Sequence, residues 1–467
     1  MEFNEEELVM MTKQINDMAN TEPWVKYGDD GKRSIDINAL ADAYIAKMSY
    51  FRTSDYLAGW YWEGRHWIRY TTKETRDASI RSGLSGMLGK NYKPSIVKQT
   101  LETVLDLSLD DSKQDVFEKN VSWVSFKNTA INVDTLERKP NQKSLYLIGG
   151  FDYDLPVSDE VTDVTAPLMR QMLADLFGDA GAKFFLEFTG YMFKRQYAPF
   201  QHAVIVQGKA GTGKSVLFNL VTKMLGKQNV SSVSLHDLSD DRFAAVGVVD
   251  KYANIRSDIS SDFIKDASII KNLVGDDSMT VQAKGQQPFA YSNYAKMLFS
   301  ANEVPTIAPD AGIQRRIIIL PVVGIVHADV NGSDKFDYEP YDAERGEFAL
   351  LAIEAFAKAF ERGKWTTSQL ISDATSDWNN NGDDVKMWAS EHLKQDENAR
   401  PKAKNVYDYF HNDMEHDGLK VIPTARTFYQ RMTNLGYDFR KAKPVVITDQ
   451  DASNTKRLIG YEYSSQE

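Results

Sequence analysis

Apolar residues recur with a period of about 3.6 residues in several stretches of this chain, which predicts amphipathic helices. The predicted helices are Ile35–Lys47, Ser95–Leu107, Leu168–Phe177, Ala182–Tyr197 and Glu347–Arg362. Between the first two lies the aromatic segment Tyr56–Tyr70, with Glu63-Gly64 near its middle, and this pattern predicts a β-hairpin. Its aromatic side chains are expected to pack across the hairpin, with stacking on nucleic-acid bases as the alternative.

Short apolar runs predict strands. They lie at Trp123–Phe126, Ala130–Val133, His202–Val206, Lys251–Ile255, Ala295–Ala301 and Ile317–Leu320. Strands and helices in this mixture favour an α/β fold class. A chain of 467 residues is expected to hold two to four domains. The turn-rich segment near 151–156 and the linker-like Asp373–Asp384 suggest regions 1–155, 156–370 and 385–467.

The amino-acid composition and net charge of the chain exclude several kinds of site and partner. The chain has no cysteine, which excludes disulfides and thiolate metal sites and fits an intracellular protein. No uninterrupted run of about 18 apolar residues occurs, so no membrane partner is expected. The net charge of −11 argues against a surface that coats nucleic acid, so any DNA contact is expected in local patches or a lined channel.

The strongest motif lies between the strand at 202–206 and a helical pattern at 216–221. It reads Gly208-Lys209-Ala210-Gly211-Thr212-Gly213-Lys214-Ser215, the GxxxxGK[ST] spacing of a phosphate-binding loop in its strand–loop–helix context. In such a loop, backbone N–H groups wrap the phosphates, Lys214 reaches the β- and γ-phosphates and the Ser215 hydroxyl holds Mg²⁺. The sequence therefore predicts a nucleotide site with ATP and Mg²⁺ as cofactors.

Polar residues follow or precede the next predicted strands. Asp258 follows the strand at 251–255, where a carboxylate can bind Mg²⁺ through water and polarise an attacking water. Asn302 follows the strand at 295–301, where an amide can sense the γ-phosphate. Arg315 and Arg316 stand just before the strand at 317–320, and one of them could act as an arginine finger on a neighbouring subunit's nucleotide.

The order of these motifs resembles that of superfamily 3 helicases. The segments that carry the resemblance are the phosphate loop, the acidic strand end, Gly275–Phe289, Tyr294–Pro305 and the Arg-Arg strand. The branch it resembles is the phage/plasmid primase C-terminal and poxvirus primase–helicase type. The similarity extends from about residue 120 to the C-terminal end.

This resemblance implies an AAA+-like P-loop ATPase core in a ring, usually a hexamer, that threads one DNA strand. It assigns Lys214 and Ser215 to the loop, Asp258 to the second acidic motif, Asn302 to the sensor and Arg315 or Arg316 to the finger. Lys284 falls at the tip of a hairpin that grips the DNA backbone in such helicases. The implied protein is an ATP-dependent replicative helicase or initiator of a phage or mobile element, working in the cytoplasm of a bacterial host.

The resemblance also implies single-stranded and forked DNA as partners. Further candidate partners are origin duplex DNA and host or phage replication proteins.

Two positions depart from the family pattern. Ser257 stands where many relatives have a second acid, which puts the catalytic rate in doubt. Gly285 replaces an aromatic residue often found beside the hairpin lysine, which puts the strength of the DNA grip in doubt.

The C-terminal region reads as helices followed by a small β-wing, which suggests a winged-helix-like module. Helices are predicted at Ala403–His416 and from a Thr424 cap to Leu435, with Gly436 as a stop. Strands are predicted around Phe439, at Val445–Thr448 and at Leu458–Tyr461. The candidate DNA contacts are Arg426, Arg431, Lys441 and Lys443. Docking of another protein is the alternative role for such a module.

Two other functions compete with unwinding. The first is a P-loop ATPase that packages or remodels DNA, or loads another helicase. A packaging motor is expected to carry a nuclease domain with clustered carboxylates, and the sequence after residue 320 shows no such cluster. The second is a fused primase, which needs a paired-acid strand that the first 150 residues do not clearly contain, so this region is interpreted as a collar or oligomerisation domain.

Overall fold

The computed structural model of the chain has an α/β fold centred on one five-stranded parallel sheet, which confirms the predicted class. It describes residues 22–28, 32–54, 56, 58–156, 165–241, 243–261, 264, 268–282, 284, 288–305, 311–326, 336–381, 384–416, 422–444 and 454–463. Among these residues, no helix is long and apolar enough to cross a lipid bilayer.

The N-terminal region packs three helices beside two strand pairs. Its elements are β1 Val25–Tyr27, β2 Arg33–Ile35, α1 Ile37–Met48, β3 Trp60–Trp62, β4 Trp67–Arg69, α2 Lys73–Leu88 and α3 Pro94–Leu107. Helix α1 begins where the Asp36 carboxylate accepts a hydrogen bond from the Ala39 backbone N–H. Leu40, Leu84 and Val104 are among the residues that form a shared core. The helices predicted near 35–47 and 95–107 are confirmed.

The predicted hairpin is also confirmed. Strands β3 and β4 pair antiparallel, with Trp62 opposite Trp67 and Gly64 in the turn at a φ of +78°. Trp60 and Trp67 are only 8% and 4% exposed, and the Trp60 ring lies 4.1 Å from that of Phe117. These two tryptophans are therefore packed inside the protein, and their rings cannot stack on nucleic-acid bases.

A small antiparallel sheet follows, made of β5 Trp123–Ser125, β6 Ala130–Asn132 and β7 Arg138–Lys139. Val124 and Ile131 belong to the same buried core as the central sheet, not to the core of α1–α3. The domain boundary placed at 155 stays a prediction, and this packing favours a boundary before β5.

The central sheet has the order β14-β8-β13-β10-β9, and all its strands are parallel. Its strands are β8 Ala203–Gln207, β9 Val230–Ser231, β10 Ala253–Arg256, β13 Lys296–Ala301 and β14 Ile317–Pro321. All six residues of β13 are buried, as are the first four of β8. Parallel strands covered on both faces are expected to be this apolar.

Helices cover this sheet. They are α4 Pro167–Tyr191, α5 Lys214–Leu225, α6 Leu235–Asp240, α7 Ser268–Val274, α8 Ala311–Gln314, α9 Glu339–Ala343, α10 Arg345–Arg362 and α11 Gln369–Asn381. The two helices predicted at 168–177 and 182–197 form the single element α4, interrupted at Gly178, and it ends at Tyr191. Helices α4 and α10 approach closely, since a Cβ at Gly190 would lie 1.9 Å from the Ala352 carbonyl oxygen.

The prediction of a linker at Asp373–Asp384 is wrong. Most of that stretch belongs to α11, which packs along the edge strand β14. Ile371 and Trp378 are buried in the central core, and the Ile319 backbone N–H donates to the Thr375 hydroxyl. Burial of this apolar face outweighs the weak helix preference of the asparagines and serines around it.

An antiparallel hairpin stands between β10 and β13 in the chain. It consists of β11 Met279–Val281 and β12 Phe289–Tyr291, with Val281 opposite Phe289. Lys284 lies in the connection between the two strands, where the sequence places it, and its side chain is exposed.

The C-terminal region has its own core, which includes Trp388, Phe410 and Phe428. Its elements are α12 Asp384–His392, β15 Leu393–Gln395, α13 Ala403–His416, α14 Ala425–Asn434, β16 Phe439–Ala442, β17 Thr455–Leu458 and β18 Tyr461–Tyr463. Helix α13 and the Thr424 cap of α14 are confirmed, and the strand predicted at Val445–Thr448 lies outside the described residues. Strands β16 and β17 pair antiparallel, as do β15 and β18. The boundary at 385 and the winged-helix-like arrangement stay predictions.

Candidate functional site

A glycine loop, residues 208–213, connects β8 to α5 at the carboxyl end of the central sheet. The Gly208 N–H donates to the Ala301 carbonyl of the neighbouring strand β13 at 3.1 Å. A Cβ at residue 208 would lie 2.7 Å from the Val322 Cβ, so only glycine fits there. Gly211 and Gly213 have φ values of +79° and +100°, which other residues rarely adopt. These constraints hold the loop backbone against two neighbouring segments.

The N-terminus of α5 opens at this loop. Gly213 is its N-cap residue and has no side chain to cap the first turn. The N–H groups of a helical first turn have no partner within the helix, and the helix dipole places positive potential there. The loop and the start of α5 therefore present a row of backbone donors suited to an anion such as phosphate.

Lys214, the first residue of α5, is buried, and its ammonium is hydrogen-bonded within this loop. Its ammonium donates to the carbonyl oxygens of Gly208 at 2.5 Å and Lys209 at 2.9 Å, and to the Asn302 Oδ1 at 3.0 Å. Burial lowers the pKa of Lys214, and the nearby Asp258 carboxylate opposes that shift. All three acceptors are neutral, so an anion bound in the loop would give this cation the charged partner that these contacts lack.

Asp258 and Asn302 meet at the ends of the adjacent strands β10 and β13. The Asn302 Nδ2 donates to the Asp258 Oδ1 at 3.3 Å while its Oδ1 accepts from Lys214. The Asp258 backbone N–H donates to the Ser300 hydroxyl at 3.1 Å, and the Asp258 φ is +54°. One chain of hydrogen bonds thus links the three residues that the sequence predicts as a site.

These residues line a cavity of about 300 Å³. Its lining consists of 210–216, Asp258, Ser300, Asn302 and Val326. The exposed Ser215 hydroxyl and the exposed Asp258 carboxylate both face it, and oxygen ligands of this kind suit Mg²⁺. Over the described parts of the chain, no three histidine, aspartate or glutamate side chains lie close enough to hold a metal by themselves.

Two lining residues were missed by sequence reasoning. Ser300 anchors Asp258 through its hydroxyl, and Val326 donates its backbone N–H to the Thr212 carbonyl at 3.1 Å. The Val326 Cβ would be 3.1 Å from a Cβ at Gly213. The sequence gives neither residue a role of its own, although Ser300 lies within the segment Tyr294–Pro305, so only the folded arrangement identifies them as lining residues.

The two arginines lie at the amino end of β14, whereas the glycine loop lies at the carboxyl end of the neighbouring strand β8. Strand β14 runs parallel to β8, with Ile317 opposite Ala203 and Pro321 opposite Gln207. Its five residues span about 16 Å at about 3.3 Å per residue, which separates Arg315 from the glycine loop at the far end. Arg316 donates to the Gly312 carbonyl at 2.8 Å, whereas Arg315 is exposed. The structure therefore brings neither arginine into the cavity of its own subunit.

The predicted DNA contacts lie apart from this cavity. Lys284 is exposed on the β11–β12 connection. Arg426 is exposed and Arg431 half-buried on α14, and Lys441 and Lys443 are exposed on or just after β16. The structure thus offers these cations to solvent in two separate places.

Comparison with known proteins adds a partial match. A model of a family of unknown function (DUF5906) matches residues 206–316, the stretch from the glycine loop to Arg316. The chain is also similar to a structure described as "The A form apo structure of NrS-1 C terminal region-CTR", at 13% identity and a TM-score of 0.47. That alignment covers 90% of this chain and 98% of that one.

A second solved structure, "The apo structure of NrS-1 C terminal region (305-718)", is 15% identical with a TM-score of 0.46, covering 91% and 99% of the two chains. A search of curated proteins finds no match. At these identities and TM-scores the similarity does not indicate a function, so the function is inferred from the residues of the site.

Proposed function

We propose that this chain is an ATP-dependent replicative DNA helicase or initiator of the superfamily 3 type, encoded by a phage or mobile element and acting in a bacterial cytoplasm. The observation that carries the proposal is the convergence of the glycine loop, Lys214, Asn302 and Asp258 in one cavity. That cavity lies at the carboxyl ends of parallel strands, where open α/β sheets bind their ligands.

The loop amides and four side chains of the cavity have roles in ATP hydrolysis. The loop amides and Lys214 bind the β- and γ-phosphates, and Asn302 senses the γ-phosphate. Ser215 and Asp258 would hold Mg²⁺, which neutralises charge on the transferring phosphoryl group. Asp258 also orients the attacking water, because Ser257 supplies no second carboxylate beside it.

The position of Arg315 supports an oligomer. A side chain at the amino end of the strands cannot reach its own subunit's phosphates at the carboxyl end, yet it is exposed and can enter the cavity of a neighbour. Head-to-tail contacts of this kind close into rings when the rotation permits. We therefore propose a ring, with six subunits as the resemblance implies, and Arg315 as the finger in trans.

DNA contacts are assigned to two surfaces. Lys284 would meet the phosphates of a single strand in the channel of the ring, independently of sequence. Arg426, Arg431, Lys441 and Lys443 would bind duplex DNA through the C-terminal module, at an origin or elsewhere. Docking of a replication protein is the alternative for this module.

The test of the proposed function is ATP turnover with and without single-stranded DNA, together with strand displacement from a forked duplex. DNA-stimulated turnover with displacement is expected. Stimulated turnover without displacement on any fork would instead favour an ATPase that packages or remodels DNA or loads another helicase.

Asp258→Asn should keep ATP binding and lose hydrolysis. Asparagine has the same shape and tolerates the positive φ at this position, so the fold should persist. The amide can neither bind Mg²⁺ as a carboxylate does nor polarise the water. Binding of a fluorescent ATP analogue and release of phosphate measure the two properties separately. Normal hydrolysis would mean that the essential acid lies elsewhere, with Asp262 as the next residue to test.

Lys284→Ala should impair unwinding and the DNA stimulation of turnover while basal turnover survives. The lysine does not line the cavity, and its side chain is exposed. Because it would contact phosphates, the loss should be equal on unrelated DNA sequences. Lys271→Ala, a change on the preceding helix α7, is a control. A sequence-dependent effect would contradict this assignment of Lys284.

A further inference from the structure

Helix α11 contacts two functional segments at adjacent residues. The indole N–H of Trp378 donates to the Pro305 carbonyl at 2.9 Å. The Gln314 Nε2 donates to the Asn379 carbonyl at 3.1 Å. Trp378 is 8% exposed and belongs to the central core. Pro305 and Gln314, which are nine residues apart in the chain, are therefore both fixed to one turn of one helix.

The first of these segments leads from the cavity. Pro305 stands three residues beyond Asn302, which contacts both Lys214 and Asp258. Pro305 is buried and Val304 packs against the central core, so this short segment is anchored at its far end. A shift of Asn302 on nucleotide binding would be transmitted to the Trp378 contact.

The second segment carries the exposed arginine. Gln314, immediately before Arg315, is held by Asn379. Arg316, immediately after it, is held on both sides, because its carbonyl accepts from the Ala203 N–H at 2.7 Å and its guanidinium donates to Gly312. Arg315 is thus the exposed residue between two fixed neighbours, which is how a side chain is presented to another molecule in a defined direction.

We propose that α11 is a positioning element that sets the direction of Arg315 and links it to the state of Asn302. The positioning residues are Trp378 on α11 and Gln314, which α11 holds through the Asn379 carbonyl, and neither lines the cavity. The proposal rests on the proposed function, since Arg315 acts on the next subunit. Through α11, the nucleotide bound in one subunit would adjust the arginine that this subunit offers to its neighbour.

The test combines two inactive variants in mixed rings. The donor subunit supplies the arginine: it carries Lys214→Ala and keeps Arg315. The recipient subunit supplies the ATP site: it carries Arg315→Ala and keeps its glycine loop. Where a donor stands beside a recipient, an intact loop meets an intact arginine, so mixing should restore a measurable part of wild-type ATP turnover.

Trp378→Phe keeps an aromatic ring and removes the indole N–H. In the donor it should lower the restored turnover by about tenfold, because a small misplacement of a catalytic group is costly. In the recipient, which has no Arg315 to position, the change can act only through the segment that leads to Asn302, so the loss should be clearly smaller than in the donor. Gln314→Leu should show the same asymmetry, since it breaks the contact on the arginine side alone.

Trp365→Phe in the donor is the matched control. The Trp365 indole N–H donates to the His202 Nδ1 at 3.2 Å, so this variant also loses an indole hydrogen bond beside the same core but touches neither Pro305 nor Gln314. It should leave the restored turnover unchanged. In rings made of one kind of subunit, Trp378→Phe should also lower the Hill coefficient for ATP towards 1.

The outcomes separate the two proposals. An equal loss from donor and recipient would make Trp378 purely structural and overturn the role of α11 while leaving the trans arginine intact. Mixed rings that restore no turnover, even without a change at Trp378, would overturn the trans arginine and the role of α11 with it. Binding of an ATP analogue by the recipient checks that its own site is intact in every mixture.

Discussion

Lys214→Ala should lower ATP turnover by at least about 10²–10³-fold, the range typical of removing a group that stabilises charge in a transition state. The Lys214 ammonium is the buried cation at the glycine loop, and its present acceptors are two loop carbonyls and Asn302. Without it, the γ-phosphate loses its main side-chain contact, and the backbone donors of the loop remain.

The same variant should stay folded. Its lost hydrogen bonds end on the carbonyls of Gly208 and Lys209 and on Asn302, and Lys214 itself lines an open cavity from which water can replace the ammonium. Thermal unfolding and phosphate release measure the two effects, and Lys227→Ala is the control, because that exposed lysine follows the far end of α5. A folded Lys214→Ala protein with near-normal turnover would refute the assignment of the loop to ATP.

The sequence suffices to locate the centre of this site because its signals are local. The GxxxxGK[ST] spacing lies within one turn between a strand and a helix, so chain connectivity alone brings its parts together. Asp258 and Asn302 could be expected nearby, since each follows a strand, and the ends of parallel strands meet at one edge. The hydrogen bonds among Lys214, Asn302 and Asp258 show that they do meet.

Contacts between distant segments could not be predicted in this way. The run Asn379-Asn380-Asn381-Gly382 has the composition of a loop, yet Trp378 just before it is buried and the helix continues to Asn381. Local propensity is a weak signal when an amphipathic face finds a core to cover. The strands β5 and β6 are predicted from the sequence, but nothing local indicates that they pack into the same core as the central sheet.

The choice between Arg315 and Arg316 depends on the same kind of information. Both precede a buried strand and have the same chemistry, so the sequence treats them alike. In the fold, the Arg316 guanidinium is turned back onto Gly312 and lies near His202, where burial first and then this positive charge lower the imidazole pKa to about 4. Arg315 is exposed, and no hydrogen bond or ion pair engages its side chain within the described residues.

Arg315→Ala should therefore lower ATP turnover by about 10³-fold or more, as the loss of an arginine finger does, while ATP binding and thermal stability stay near wild type. Arg315→Lys should restore little, because an ammonium lacks the planar fork that contacts two phosphate oxygens. Arg316→Ala should instead act mainly on stability, since it removes a partly buried side chain and its contact with Gly312.

Mixing Arg315→Ala with wild-type protein decides whether the arginine acts on a neighbour. In a ring where each arginine finger acts on the next subunit's ATP, the fraction of turnover lost should exceed the fraction of mutant subunits. The reason is that subunits which hydrolyse ATP one after another are all stopped by a single defective interface. Turnover measured across a series of mixtures gives the curve, and size-exclusion chromatography with light scattering gives the number of subunits. A strictly linear loss, or full turnover from a demonstrated monomer, would contradict the ring, and the arginine would then need a role outside the ATP site.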